Sequence, residues 1–157
     1  MQGLIYIFAF SLGDVESNVT SNIIKLEGNY TTGIAFRGSK VDIIGNDVEL
    51  ISSEEGNETI WEAFGVETVG IKVFAGNATI KENNVSTAGM GISLKSNLTS
   101  ALLEKNVISV IANEDKDASA IYASEVSSLE VVNNEIRYVG ATNGSGINYA
   151  VYIDGVN

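Results

Sequence analysis

One eight-residue pattern recurs along this chain: small or apolar, any, aliphatic, any, any, Asn, any, aliphatic. It reads Val41, Ile43, Asn46, Val48, then Ala78, Ile80, Asn83, Val85, then Ala101, Leu103, Asn106, Ile108, then Leu129, Val131, Asn134, Ile136, with a weaker early copy at Ser17, Val19, Asn22, Ile24. A shorter motif (small, apolar, any, apolar) precedes each copy. Its instances are Ala9 to Leu12, Gly33 to Phe36, Gly70 to Val73, Gly91 to Leu94, Ala120 to Ala123 and a sixth, Ala150 to Ile153.

Apolar and variable positions alternate within both motifs, which is the signature of a strand with one buried face. The asparagines lie 24, 37, 23 and 28 residues apart, and a period in the twenties with variable insertions marks a solenoid whose units bury their apolar faces against their neighbours. A helical solenoid would need apolar residues three and four apart, sustained over each unit, and no unit has them. A further short strand follows each Asn, at Ile24 to Leu26, Val48 to Leu50, Ile108 to Val110 and Ile136 to Tyr138. The expected fold is therefore all-β: a parallel β-helix solenoid of about five coils, three short strands per coil, with equivalent residues about 4.8 Å apart along the stack. Ile43, Ile80, Leu103 and Val131 would form one interior column. Asn22, Asn46, Asn83, Asn106 and Asn134 would form another, an amide ladder in which each side chain bonds the next one and the corner backbone, since buried amides are costly unless filled.

These residues resemble the right-handed parallel β-helix repeat of pectin-lyase-like proteins, which is also found in adhesin-like surface proteins of archaea and bacteria. The resemblance runs from about Ala9 to Ile153 and implies fold more than function, because the architecture hosts lyases, hydrolases, adhesins and structural spikes. The right hand is implied by the resemblance and by the general hand of parallel crossovers.

The 157 residues fit one domain, 1–157, that begins and ends abruptly in repeat sequence. Two explanations stay open: a segment of a longer polypeptide, or copies stacked end to end so that each supplies the other's missing neighbour. Loop insertions are expected at 52–66, 111–119 and 140–148. The first carries Trp61 and Phe64, which either pack on the flank of the coil or contact a ligand. The acidic run Asn113 to Asp117 lacks the glycine and distal carboxylate of a calcium loop, so no metal is expected there. Leu4 to Phe10 is too short to span a bilayer and is read as strand.

A net charge of −11 argues against nucleic acid and anionic membranes as partners. With no His and no Cys, the chain lacks the usual zinc, copper and haem ligands and every His-based triad. No cofactor is expected. Seven asparagines stand in Asn-x-Ser/Thr sequons: Asn18, Asn29, Asn57, Asn77, Asn84, Asn97 and Asn143. Sixteen asparagines, at a Ser-plus-Thr frequency of 25 in 157, would give about two or three by chance, so the excess suggests an exported glycoprotein. None of the five ladder asparagines lies in a sequon.

The outward residue of the shorter motif runs Ser11, Ala35, Lys72, Ser93, Tyr122, Tyr152, and the last two should stack as a small aromatic column able to contact carbohydrate or a host surface. No catalytic residue is assigned, because on successive coils Asp42 falls over Thr79, Leu102 and Glu130, and the two arginines, Arg37 and Arg137, fall on different faces. The function expected is a noncatalytic extracellular cell-surface protein, adhesin-like or structural, stacking on copies of itself or on adjoining coils. The alternative that comes with the resemblance is a polysaccharide lyase or hydrolase, whose chemistry needs paired acids, or clustered Asp with calcium and a basic residue.

Overall fold

A computed structural model of the protein describes residues 8–10, 16–28, 31–51, 68–74, 76–111, 118–139 and 148–155. Among them are sixteen strands and no helix, and every third strand belongs to the same sheet. Sheet A holds β1 (Phe8–Phe10), β4 (Thr32–Arg37), β7 (Val69–Val73), β10 (Met90–Leu94), β13 (Ala118–Ser124) and β16 (Asn148–Asp154). Sheet B holds β2 (Glu16–Thr20), β5 (Lys40–Ile44), β8 (Gly76–Lys81), β11 (Leu98–Glu104) and β14 (Leu129–Val132). Sheet C holds β3 (Ile23–Glu27), β6 (Asp47–Ile51), β9 (Asn84–Thr87), β12 (Val107–Ile111) and β15 (Glu135–Val139). All pairings are parallel, so the chain is a three-sided parallel β-helix of about five coils.

The registers are those the repeat dictates. Ile43 pairs with Ile80, Ile80 with Leu103 and Leu103 with Val131. The first three are fully buried, as are Val48, Val85 and Ile108 on sheet C and Ile71, Ile92 and Ile121 on sheet A. Each such side chain contributes about 1.5–3 kcal/mol of gross burial free energy. The small first position of the shorter motif has a steric cause. A methyl group on Gly70 would lie 2.3 Å from Val85 Cγ1 and 2.7 Å from the Gly91 carbonyl oxygen, and one on Gly33 would meet Val48 and Gly70 in the same way. At Gly33, Gly70 and Gly91 the passage from sheet C into sheet A leaves no room for a side chain.

Length variation is unevenly distributed. The connection from sheet B to sheet C is two residues in all five coils, whereas that from sheet C to sheet A ranges from two residues (88–89) to seventeen (52–68). The expected insertion 52–66 lies outside the described residues. Within 111–119, Ile111 ends β12 and Ala118 and Ser119 open β13, while Asn148, the last residue of 140–148, opens β16.

One expectation fails at the first coil. Ala9 was to lie opposite Gly33, but β1 pairs Phe8 with Ala35 and Ala9 with Phe36, three residues out of motif register. Ser11 is outside the described residues, and the place opposite Ala35 belongs to Phe8. Register is set by neighbours on a buried face, and β1 is a three-residue strand that, among the described residues, has a partner on one side only.

Candidate functional site

The asparagine column sits on the invariant two-residue corner. In each copy the residue before the Asn is left-handed: Ser21 (φ 56), Gly45 (φ 65), Glu82 (φ 55), Lys105 (φ 55) and Asn133 (φ 54). Only one of the five is glycine, and a non-glycine residue in this region costs on the order of 1 kcal/mol or more. The asparagine bonds offset that strain. The Nδ2 groups of Asn22, Asn46, Asn83 and Asn106 donate to Oδ1 of the next rung at 2.9, 2.9, 2.9 and 2.8 Å. The backbone N–H of the same four residues donates to that same oxygen. The amides of Asn46, Asn83, Asn106 and Asn134 also reach back to the preceding coil, as Asn83 Nδ2 does to the Ile43 carbonyl at 2.9 Å. Asn46, Asn83 and Asn106 are fully buried. The ladder expected from the sequence is present, and its role is structural.

The outward faces carry the candidate contact groups. Asn18 on β2, Asn77 on β8, Asn84 on β9 and Asn97 in the turn before β11 are all exposed. Asn84 Nδ2 donates to Asp47 Oδ1 at 2.9 Å and Asn77 Oδ1 accepts from the Ser100 hydroxyl at 2.8 Å, whereas Asn97 lies in a left-handed turn (φ 65). Asn29, Asn57 and Asn143, with Trp61 and Phe64, lie outside the described residues.

On sheet A the structure brings Tyr122 and Tyr152 together as expected: they are direct register partners, their rings stacked at 5.1 Å and 9°. Lys95 Nζ lies 4.9 Å from the centre of the Tyr122 ring. A third ring, Tyr149, meets Tyr152 edge-on at 5.1 Å and 62°, and is 39% exposed. Sequence reasoning missed it, because strict alternation puts residues three apart on opposite faces. The alternation breaks at the small-residue position of the shorter motif, here Ala150. The same break explains Val69, which is fully buried yet lies outside the main core cluster. The signal was the small residue itself, Ala150, one position after Tyr149. Tyr122, Tyr149 and Tyr152, with Met90, Ala118 and Ser119, line an open recess of ≈ 270 Å³, an amphipathic pocket of ring faces and hydroxyls. Lower in the same outward column Ser93 is fully buried, and its hydroxyl has no partner among the described residues.

No family model, curated protein or solved structure matches this chain. Its chemistry is therefore read from its own geometry. Asp42 pairs with Thr79, Thr79 with Leu102 and Leu102 with Glu130, so these carboxylates do not meet. Arg37 and Arg137 lie on β4 and β15, in different sheets. Among the described residues no group of three acidic, His or Cys side chains could hold a metal ion, and no helix is long and apolar enough to cross a membrane. The charges pair across coils instead: Lys25 with Glu49 at 2.7 Å, Lys40 with Glu16 at 3.3 Å and Lys81 with Glu104 at 2.8 Å. The hydrogen bond from Lys81 holds the Glu104 carboxyl below the usual carboxylate range, and Arg137 does the same for Glu135.

Proposed function

We propose that this chain is a noncatalytic extracellular element of a cell surface, adhesin-like or structural, that displays glycans and an aromatic recess on a rigid rod and continues end to end with further coils. The observation that carries the reading is the division of its asparagines. Every described sequon asparagine (Asn18, Asn77, Asn84, Asn97) is exposed, while the buried ladder asparagines Asn46, Asn83 and Asn106 are in none. A sugar chain can be attached at each described sequon without touching the core. The continuous ladder and columns make a stiff support, and the tyrosine recess supplies a surface suited to carbohydrate or a host surface.

The test is intact-mass and peptide mass analysis of native material, before and after enzymatic deglycosylation. The expected result is glycan mass on sequon asparagines and none on ladder asparagines. Bare sequons in native material would remove the support for an exported glycoprotein.

A further inference from the structure

The sequons of the inner coils differ in how the fold holds them. Asn77 opens its sequon inside β8, which pairs with β5 on one side and β11 on the other, and Asn84 opens its own at the start of β9, between β6 and β12. Both amides are tied to neighbouring coils. Asn77 Oδ1 accepts from the Ser100 hydroxyl at 2.8 Å while its Nδ2 reaches the Ser39 carbonyl at 3.5 Å, and Asn84 Nδ2 donates to Asp47 Oδ1 at 2.9 Å. The sequon hydroxyls, on Thr79 and Ser86, belong to half-buried residues with a register partner on each side, Asp42 and Leu102 for the first, Glu49 and Ser109 for the second.

Asn97-Leu98-Thr99 is built differently. Asn97 lies in the three-residue connection 95–97 between β10 and β11, outside any strand, and its side chain has no hydrogen-bond partner among the described residues. Ser96 and Asn97 are both left-handed (φ 67 and 65), which turns the backbone out of an extended path. Leu98 is fully buried and pins the centre of the sequon to the core. One residue on, the ladder is irregular: Leu98 is in register with Gly76 and Ser100 with Asn77, so Thr99 has no partner on β8. An extra residue of this kind bulges from the ladder and re-aims its side chain, and Thr99 is exposed. The two groups that define the sequon therefore stand clear of the sheet on either side of a buried anchor.

Attaching a sugar to asparagine breaks the bond between sugar C1 and a phosphate oxygen of an activated donor and forms C1–Nδ2. The electron pair leaves with the phosphate, and one amide proton is released. An amide nitrogen is a poor nucleophile because its lone pair is shared with the carbonyl, so the transferring enzyme has to surround the amide, hold its hydrogens and reach the hydroxyl two residues on. At Asn77 and Asn84 that space holds neighbouring strands, and the amide bonds listed above have to break first. We infer that Asn97 is the one sequon of these three that the folded protein offers to a glycosyltransferase, and that Asn77 and Asn84 are open only before their strands enter the sheet. The inference deepens the glycan part of the proposed function and rests on it: sugar at Asn77 or Asn84 in native material records modification that preceded folding.

The test uses the full chain made without glycans, a soluble N-glycosyltransferase and a nucleotide-activated glucose. Cleavage after Lys72, Lys81, Lys95 and Lys105 puts each of the three sequons on its own peptide, so mass analysis reads them separately. The same peptides, offered to the enzyme directly, give the unfolded rates, and the ratio of folded to unfolded rate at each site removes the enzyme's sequence preference. The ratio at Asn97 should lie within about threefold of unity, and at Asn77 and Asn84 it should fall at least about 100-fold, because opening a central strand takes a large share of the global stability. Warming towards the melting temperature should raise Asn77 and Asn84 together and leave Asn97 where it was. Thr99→Val, which keeps the shape of the bulge and deletes the hydroxyl, should abolish the reaction at Asn97 alone. An Asn97 ratio as low as those of Asn77 and Asn84, or ratios near unity at Asn77 and Asn84 in the folded chain, would overturn the inference. Bare sequons in native material would remove the glycoprotein reading and leave these ratios unchanged, so the two fail separately.

Discussion

Replacing Asn83 with Ala removes the middle rung of the ladder, and the structure specifies what is left behind. The Asn46 backbone N–H, buried, loses the Asn83 Oδ1 it meets at 2.9 Å and has no other partner among the described residues. The Ile43 carbonyl loses its bond from Asn83 Nδ2. The Asn46 side chain loses one acceptor but keeps the Val19 and Ile44 carbonyls, and Asn106 Oδ1 keeps the Asn83 backbone N–H. One fully orphaned buried donor costs about 1–3 kcal/mol, and the weakened carbonyl adds roughly 1 kcal/mol. The sum, about 2–4 kcal/mol, corresponds to a fall in Tm of about 4–16 °C for a chain of this size. Asn84 is the internal control: one residue away, exposed, with a surface bond to Asp47, its replacement by Ala should stay within about 0.5 kcal/mol. Thermal melts followed by circular dichroism at neutral pH read both. Equal shifts for the two variants, or an Asn83→Ala melt within about 1 °C of the parent, would refute the reasoning that buried amide bonds hold the coils in line.

Gly70→Ala places a methyl 2.3 Å from Val85 Cγ1 and 2.7 Å from a backbone oxygen, so it should destabilise by about 1–3 kcal/mol in urea titration. Ser93→Ala should do the reverse, raising stability by roughly 1 kcal/mol, because it deletes a buried hydroxyl with no partner among the described residues. The Lys81–Glu104 pair predicts a pH effect with a definite sign. The Glu104 pKa is lowered in the folded protein, so its contribution is complete above the unfolded carboxylate value and is lost as pH falls through the lower folded value. Lys81 is raised by the same bond, so its contribution is present at neutral pH and is lost only as pH rises through its folded value. Glu104→Gln should accordingly flatten the acid limb of a Tm-versus-pH curve and leave its shape near neutrality unchanged.

The columns were legible because their cause is local and repeated. Ile43, Ile80 and Leu103 are aliphatic, and Asn46, Asn83 and Asn106 are amides, for reasons each coil restates, and the registers follow. The left-handed residue before each ladder Asn was not legible. Glu82 and Lys105 have no intrinsic preference for that conformation; the amide bonds one residue later impose it. Tyr149 was hidden because it shares a face with Tyr152, three residues away, where strict alternation would put the two on opposite faces. The register of β1 was misjudged because a three-residue strand with one neighbour among the described residues has little to hold it to the motif.

The fixed two-residue turn between sheets B and C, set against connections of two to seventeen residues between sheets C and A, divides the rod into a spine that admits no editing and a seam that does. Because each of these connections leaves sheet C and enters sheet A, their anchor points line up along one seam, spaced by the rise per coil. Foreign peptides spliced in after Ala88, where the native connection is shortest, would join that row while the spine stayed as it is.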